Sequence, residues 1–207
     1  RDVERSRGLG DVYKRQGLID PETLYMLRQS TLHTLCDRTQ TLHDRIHSIF
    51  ENLLLKQYGK INLAFPSEDE FYDILIKASK KTEAYDADFT HLLKCLCENK
   101  ASALFSRKTF ISYLGERTAD YEKLLSYLVF RHFPKAVYDG DALGKFCFCV
   151  GVTAITFYAD VLLFAERGKF DLADRINSVK YLSKQFEYSD ENPEILSEEL
   201  KKRILRI

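Results

Sequence analysis

Arg131, His132, Asp139 and Asp141 crowd into one short stretch, "YLVFRHFPKAVYDGDALGKF". Residues of these types could move protons on a charged substrate. A guanidinium clamps a carboxylate, and an imidazole exchanges its proton near neutral pH. The same residues also have an architectural reading. Asp139-Gly140 is a turn, and Asp141 caps the helix that follows it. His132 falls on the apolar face marked by Tyr121, Leu125 and Leu128, where a hydrogen-bonded core histidine is commoner than a catalytic one. These four are the candidate catalytic residues.

Two cysteine pairs, Cys95-Leu96-Cys97 and Cys147-Phe148-Cys149, suggest a four-thiolate metal site. Zinc needs its thiolates to converge tetrahedrally. On a helix, residues two apart diverge by about 200°. Both pairs sit among Leu and Phe, where free cysteine behaves as a small buried hydrophobe. The expectation is packing, with no metal site. The chain has no phosphate loop, nucleophile elbow, His-x-x-x-His pair or dinucleotide fingerprint.

The elements that must position these residues read as helix after helix. Asp20-Pro21 is a cap with proline at the first helical position, opening a segment to about Asp37. Thr41 to Lys56 carries Leu42, Ile46, Ile49 and Leu53 at helical spacing. Gly59 to Pro66 reads as a loop. Ser67 and Glu70 form a capping-box signature. Asp88 is expected to cap a helix holding Phe89, Leu92, Leu93 and Leu96. A short helix is expected around Thr109 to Leu114, ending at Gly115. The helix through Tyr121 and His132 should stop at Pro134.

Asp141 opens a strongly apolar helix to Arg167, with Gly168 as its stop. Its central part, 145–167, is expected to be the core of the fold. Phe146 to Phe164 has fourteen uncharged residues before Asp160 interrupts. That length suits a buried core helix better than a membrane span, so no membrane is expected. Asp171 starts another helix, with Leu172, Ile176, Val179, Leu182 and Phe186 on one face. Asn192-Pro193 begins the last. The fold class is all-α: a single helical domain of about eight or nine helices around a central apolar helix.

The first sixteen residues stand apart. Gly8-Leu9-Gly10 lacks the preceding strand and the third glycine of a phosphate-binding turn. Back-translation explains the stretch better. Asp11 to Gln16 can be written GAT GTG TAT AAG AGA CAG, a transposase end used to prepare DNA for sequencing. Ser6 to Gly10, as TCT CGT GGG CTC GGA, continues that adapter in frame, and Arg1-Asp2 as CGA GAT matches its outer primer. Residues 1–16 are therefore read as a translated sequencing adapter, expected to be disordered and set aside from fold reasoning. On this reading the natural chain starts at Gly17, and its upstream part is missing.

Without residues 1–16, 26 Lys+Arg face 28 Asp+Glu, close to neutrality. Such a balance offers no electrostatic footprint for nucleic acid. Five cysteines and no visible signal peptide favour a reducing, cytoplasmic setting.

The stretches "DYEKLLSYLVFRHFPKAVYDGDALGKFCFCVG" and "ERGKFDLADRINSVKYLSKQFEYSDENPEILSEEL" resemble the C-terminal helical part of the flagellin lysine-N-methylase family. "YLVFRHF", "DGD" and "EYSDEN" carry most of the resemblance, and "LRQSTLHTLCDRTQTLHDRI" fits the family's middle region more loosely. The match covers most of residues 24–200. The resemblance implies a parent enzyme that methylates lysine side chains on flagellin or a similar surface protein. It also implies S-adenosylmethionine as methyl donor, and an upstream cysteine cluster holding an iron–sulfur centre. That cluster would precede Gly17, and the two Cys-x-Cys pairs do not match it. The missing N-terminal domain would then be a partner, and residues 17–207 are expected to bind neither cofactor alone. No catalytic motif of the family transfers onto these positions. The alternative class is a non-enzymatic helical scaffold or protein-interaction module. The upstream reading frame discriminates the two.

Overall fold

The computed structural model describes residues 19–59, 65–81, 87–187 and 191–205. The adapter reading of residues 1–16 lies outside them. Helices α1 (Pro21–Cys36), α2 (Leu42–Tyr58), α3 (Glu68–Lys81), α4 (Ala87–Glu98) and α5 (Lys100–Leu114) come first. A 3-10 turn at Gly115–Thr118 leads into α6 (Ala119–His132). A second at Phe133–Lys135 leads into the single turn α7 (Ala136–Asp139). Helices α8 (Ala142–Arg167), α9 (Leu172–Glu187) and α10 (Asn192–Leu205) complete the chain, with no strand among the described residues.

Local chemistry accounts for most boundaries. Asp20 accepts the Thr23 amide at 2.9 Å, and Pro21 occupies the first turn, where its missing N–H costs nothing. Thr41 accepts the Asp44 amide at 3.1 Å. Ser67 and Glu70 form the reciprocal box: the Ser67 amide donates to Glu70 at 2.9 Å and the Glu70 amide to Ser67 at 3.3 Å. Gly168 ends α8 at φ 69, a left-handed conformation that a Cβ would strain.

Helix α8 is the hub. It packs against α2, α3, α4, α5, α6, α9 and α10, which is why its sequence is apolar on nearly every side. It is long and apolar enough to cross a membrane, yet 72% of its most apolar window is buried inside the protein. Its hydroxyls stay inside because they are satisfied: Thr153 and Thr156 each donate to a carbonyl one turn back at 2.8 Å. Phe146 meets Phe50 of α2 edge-on at 4.8 Å, and Tyr158 meets Tyr72 of α3 at 4.7 Å. Each fully buried aromatic or leucine of this kind stabilises the fold by roughly 1.5–3 kcal/mol.

Gly151 lets α10 come close. A Cβ built there would lie 2.8 Å from Leu196 Cγ and 2.9 Å from Leu200 Cδ1. Leu196, Leu200 and Ile204 are all buried in the resulting contact.

Cys147 and Cys149 are both fully buried, and burial pushes the Cys147 thiol up, away from the reactive thiolate. Cys36 is exposed. Labelling of the native protein should therefore modify Cys36 quickly and Cys147 and Cys149 only on unfolding. Rapid native labelling at Cys147, read by peptide mass spectrometry, would contradict this packing.

Three expectations need correction. Asp88 lies within the first turn of α4, since the helix already includes Ala87. Its charge still suits the positive end of the helix. The short helix expected at Thr109 begins at Lys100. Only Ala103, Phe110 and Leu114 of α5 are buried, and Phe105 is 85% exposed, so its first half shows no apolar stripe. In α9, Leu182 and Phe186 face inward as expected, but Leu172 and Ile176 point to solvent. Arg175 is buried instead, because an acid on α8 holds it there.

Candidate functional site

The four candidates around the α6–α8 corner do not converge. Arg131 and His132 are consecutive on α6, so their side chains diverge by about 100°. Arg131 is exposed and its Nη1 donates to the Tyr127 hydroxyl at 2.9 Å. His132 is buried, its ring edge-on to Phe148 at 4.9 Å. Asp139 accepts the Asp141 amide at 2.9 Å and pairs with Lys145. Asp141 caps α8 by accepting the Gly144 amide at 2.9 Å, and pairs with Lys201 of α10 at 2.7 Å.

Burial alone would raise the Asp141 carboxyl, but Lys201 and the Gly144 amide hold it below its ordinary value. Lys201 is held above its own: burial works against the charge, and Asp141 and Glu198 outweigh it. Gln57 of α2 braces the same corner, donating to Gly140 O at 2.9 Å and accepting the Leu143 amide at 2.6 Å. The two acids and Gln57 thus fix where the central helix begins.

A second polar group lies deeper. Asp160 of α8 is fully buried. The Tyr121 hydroxyl donates to it at 2.8 Å, Arg175 Nε lies 3.1 Å from it, and Ser178 hydrogen-bonds to it. The Arg175 guanidinium covers the Tyr121 ring at 3.8 Å and approaches Phe170 at 5.1 Å. Burial raises the Asp160 carboxyl to about 6, even though Ser178, Arg175 and Tyr121 pull the other way. Desolvation wins because the Asp160 carboxyl is shut off from solvent. Asp160 can consequently gain or release a proton close to neutral pH. The sequence carried one signal of this site, a single carboxylate interrupting an apolar helix.

Ser178 also lines a cleft of about 610 Å³ between α4, α8 and α9. That is the size of an ordinary ligand site. Leu92, Ala159, Leu163 and Leu182 give it an apolar floor, and Asn177 and Tyr181 add polar groups. The cleft and the buried acid meet at Ser178.

Among the described residues, no group of three or more His, Cys, Asp or Glu is placed to hold a metal ion. Both cysteines of the Cys147–Cys149 pair are enclosed in the core. These side chains do not fit an iron–sulfur cluster. Nor do the glycines among the described residues form a cradle for a nucleoside donor. The space beside Gly144 is filled by Asp141 and that beside Gly151 by Leu196, while Gly59, Gly115, Gly140 and Gly168 end helices.

No curated protein and no solved structure matches the chain. The family model of the FliB lysine N-methylase C-terminal domain matches residues 22–206, which take in every described helix from α2 to α10 and nearly all of α1. The chain belongs to the FliB lysine N-methylase C-terminal domain family.

Proposed function

We propose that this helical domain serves a protein-lysine N-methyltransferase acting on flagellin or a similar surface protein, in the cytoplasm, and that it does not transfer methyl groups alone. Family membership across residues 22–206 carries the reading. Lysine nitrogen attacks a sulfonium methyl only when neutral, so the complete enzyme must strip its proton or lower its pKa by desolvation. S-adenosylmethionine supplies the methyl group, and an upstream domain with a cysteine cluster contributes the donor site. The described side chains contribute a fixed helical body and a cleft beside a titratable buried acid.

A scaffolding role is the second reading, favoured by the dispersal of Arg131, His132, Asp139 and Asp141. One experiment separates the two. Residues 17–207, and the same gene restored with its upstream coding segment, are assayed with flagellin and a labelled methyl donor. Lysine methylation is expected from the restored protein alone. Turnover by residues 17–207 would place a complete site within these helices. No turnover by either would establish the scaffold.

A further inference from the structure

The cleft between α4, α8 and α9 has an uneven charge distribution. Lys180 and Lys184 line it from α9, Arg167 from the end of α8, and Asp88 from α4. Arg167 is engaged by Asp174 at 3.1 Å. Lys180 and Lys184 are exposed, and neither has an ion-pair partner among the described residues. They stand four residues apart on one helix, which separates them by about 6 Å along its axis. In an extended peptide, side chains on one face recur every two residues, about 6.6 Å apart. Two acids spaced one residue apart on an extended segment therefore match this pair of lysines. The neighbouring floor of Leu92, Leu163 and Leu182 is suited to an apolar side chain of the same segment.

We propose that this cleft binds an extended acidic peptide segment, with alternate Asp or Glu side chains on Lys180 and Lys184 and an apolar side chain on the floor. The partner is a protein rather than a nucleic acid, since charge complementarity here rests on two lysines facing an apolar floor. Asp88 on the opposite wall disfavours a uniformly anionic polymer and accommodates a basic residue beside the acidic pair. The inference deepens the methyltransferase reading, giving the domain a place to hold the protein that carries the acceptor lysine.

The test is a binding measurement with no methyl donor, so its failure is separate from a failure of the activity reading. The 207-residue chain is titrated by fluorescence anisotropy into a labelled octapeptide, Ser-Glu-Ser-Glu-Ser-Leu-Ser-Ser, whose two Glu and one Leu share a face when extended. The same peptide with Lys for Glu is the control. Binding of the acidic peptide alone is expected, weakened at least about tenfold by K180E/K184E and falling with added salt. K108E/K123E, an equal charge change on α5 and α6, should leave affinity within about twofold, the small effect expected of charges remote from the contact. Equal binding of both peptides, equal loss in both double variants, or no binding at millimolar peptide would overturn the proposal. Free glutarate competing as strongly per molecule as the peptide would also overturn it, in favour of a small-anion site.

Discussion

Arg175→Ala should cost roughly 3–5 kcal/mol of stability at pH 7, since removing one partner of a buried pair strands the other charge. The group left behind is Asp160, fully buried on α8, which must then hold an unpaired charge or take up a proton. The variant also uncovers the Tyr121 ring, over which the guanidinium lies at 3.8 Å. The loss should depend on pH in a defined sense. Asp160 is raised in the folded protein to about 6 from an ordinary 3.8. The folded state therefore binds the proton more tightly than the unfolded one. The stability this supplies is complete below pH 3.8 and is lost as pH rises through about 6. Without Arg175 the folded value moves higher still, so the variant should be least impaired near pH 4–5. Urea unfolding at pH 7 and pH 5 measures both points. An equal deficit at the two pH values would remove Asp160 from the explanation. Asp160→Asn is the companion variant: it should flatten the pH dependence over this window while retaining an acceptor for Tyr121.

Gly151→Leu should release α10 from the body of the protein. Even the first added carbon falls 2.8 Å from Leu196 Cγ, and a leucine brings three more behind it. Detachment would expose Leu196, Leu200 and Ile204, which are buried together. At roughly 1.5–3 kcal/mol each, that loss is on the order of 5 kcal/mol or more. Gly151→Ala is the graded control. Overpacking costs it about 1–3 kcal/mol, partly offset by a gain of up to about 1 kcal/mol in helix propensity. Limited proteolysis should cut within 192–205 in the leucine variant before any other helix opens. Resistance there, with an unchanged melting temperature, would show that α10 does not depend on the close approach.

The features legible in the sequence were those written in contiguous residues. Asp20-Pro21, Ser67 with Glu70, and Asp141 with Gly168 mark helix ends because a cap acts on amides within its own turn. The central helix was legible for a related reason: a helix enclosed by neighbours is apolar all round. The remaining features depend on distant partners. Arg175 faces inward only because Asp160 waits fifteen residues earlier, and Tyr121 joins them from another helix. No local period announces such a meeting, so the apolar spacing of Leu172 and Ile176 marks a face that the structure leaves in solvent. The corner cluster misled in the opposite way. Closeness in sequence placed Arg131 and His132 side by side, while helical geometry sent one to solvent and the other to the core.

The order in which the helices meet α8 has a consequence for synthesis. Its Gly151 face is covered by α10, whose residues follow it by about forty to fifty positions in the chain. During translation, at roughly 5–20 residues per second, α8 is complete for some seconds before that cover exists. A nascent chain that has emerged through Phe186 thus carries an open apolar furrow in place of the finished core. Chaperone capture should peak at that stage and end once Ile204 has left the exit tunnel.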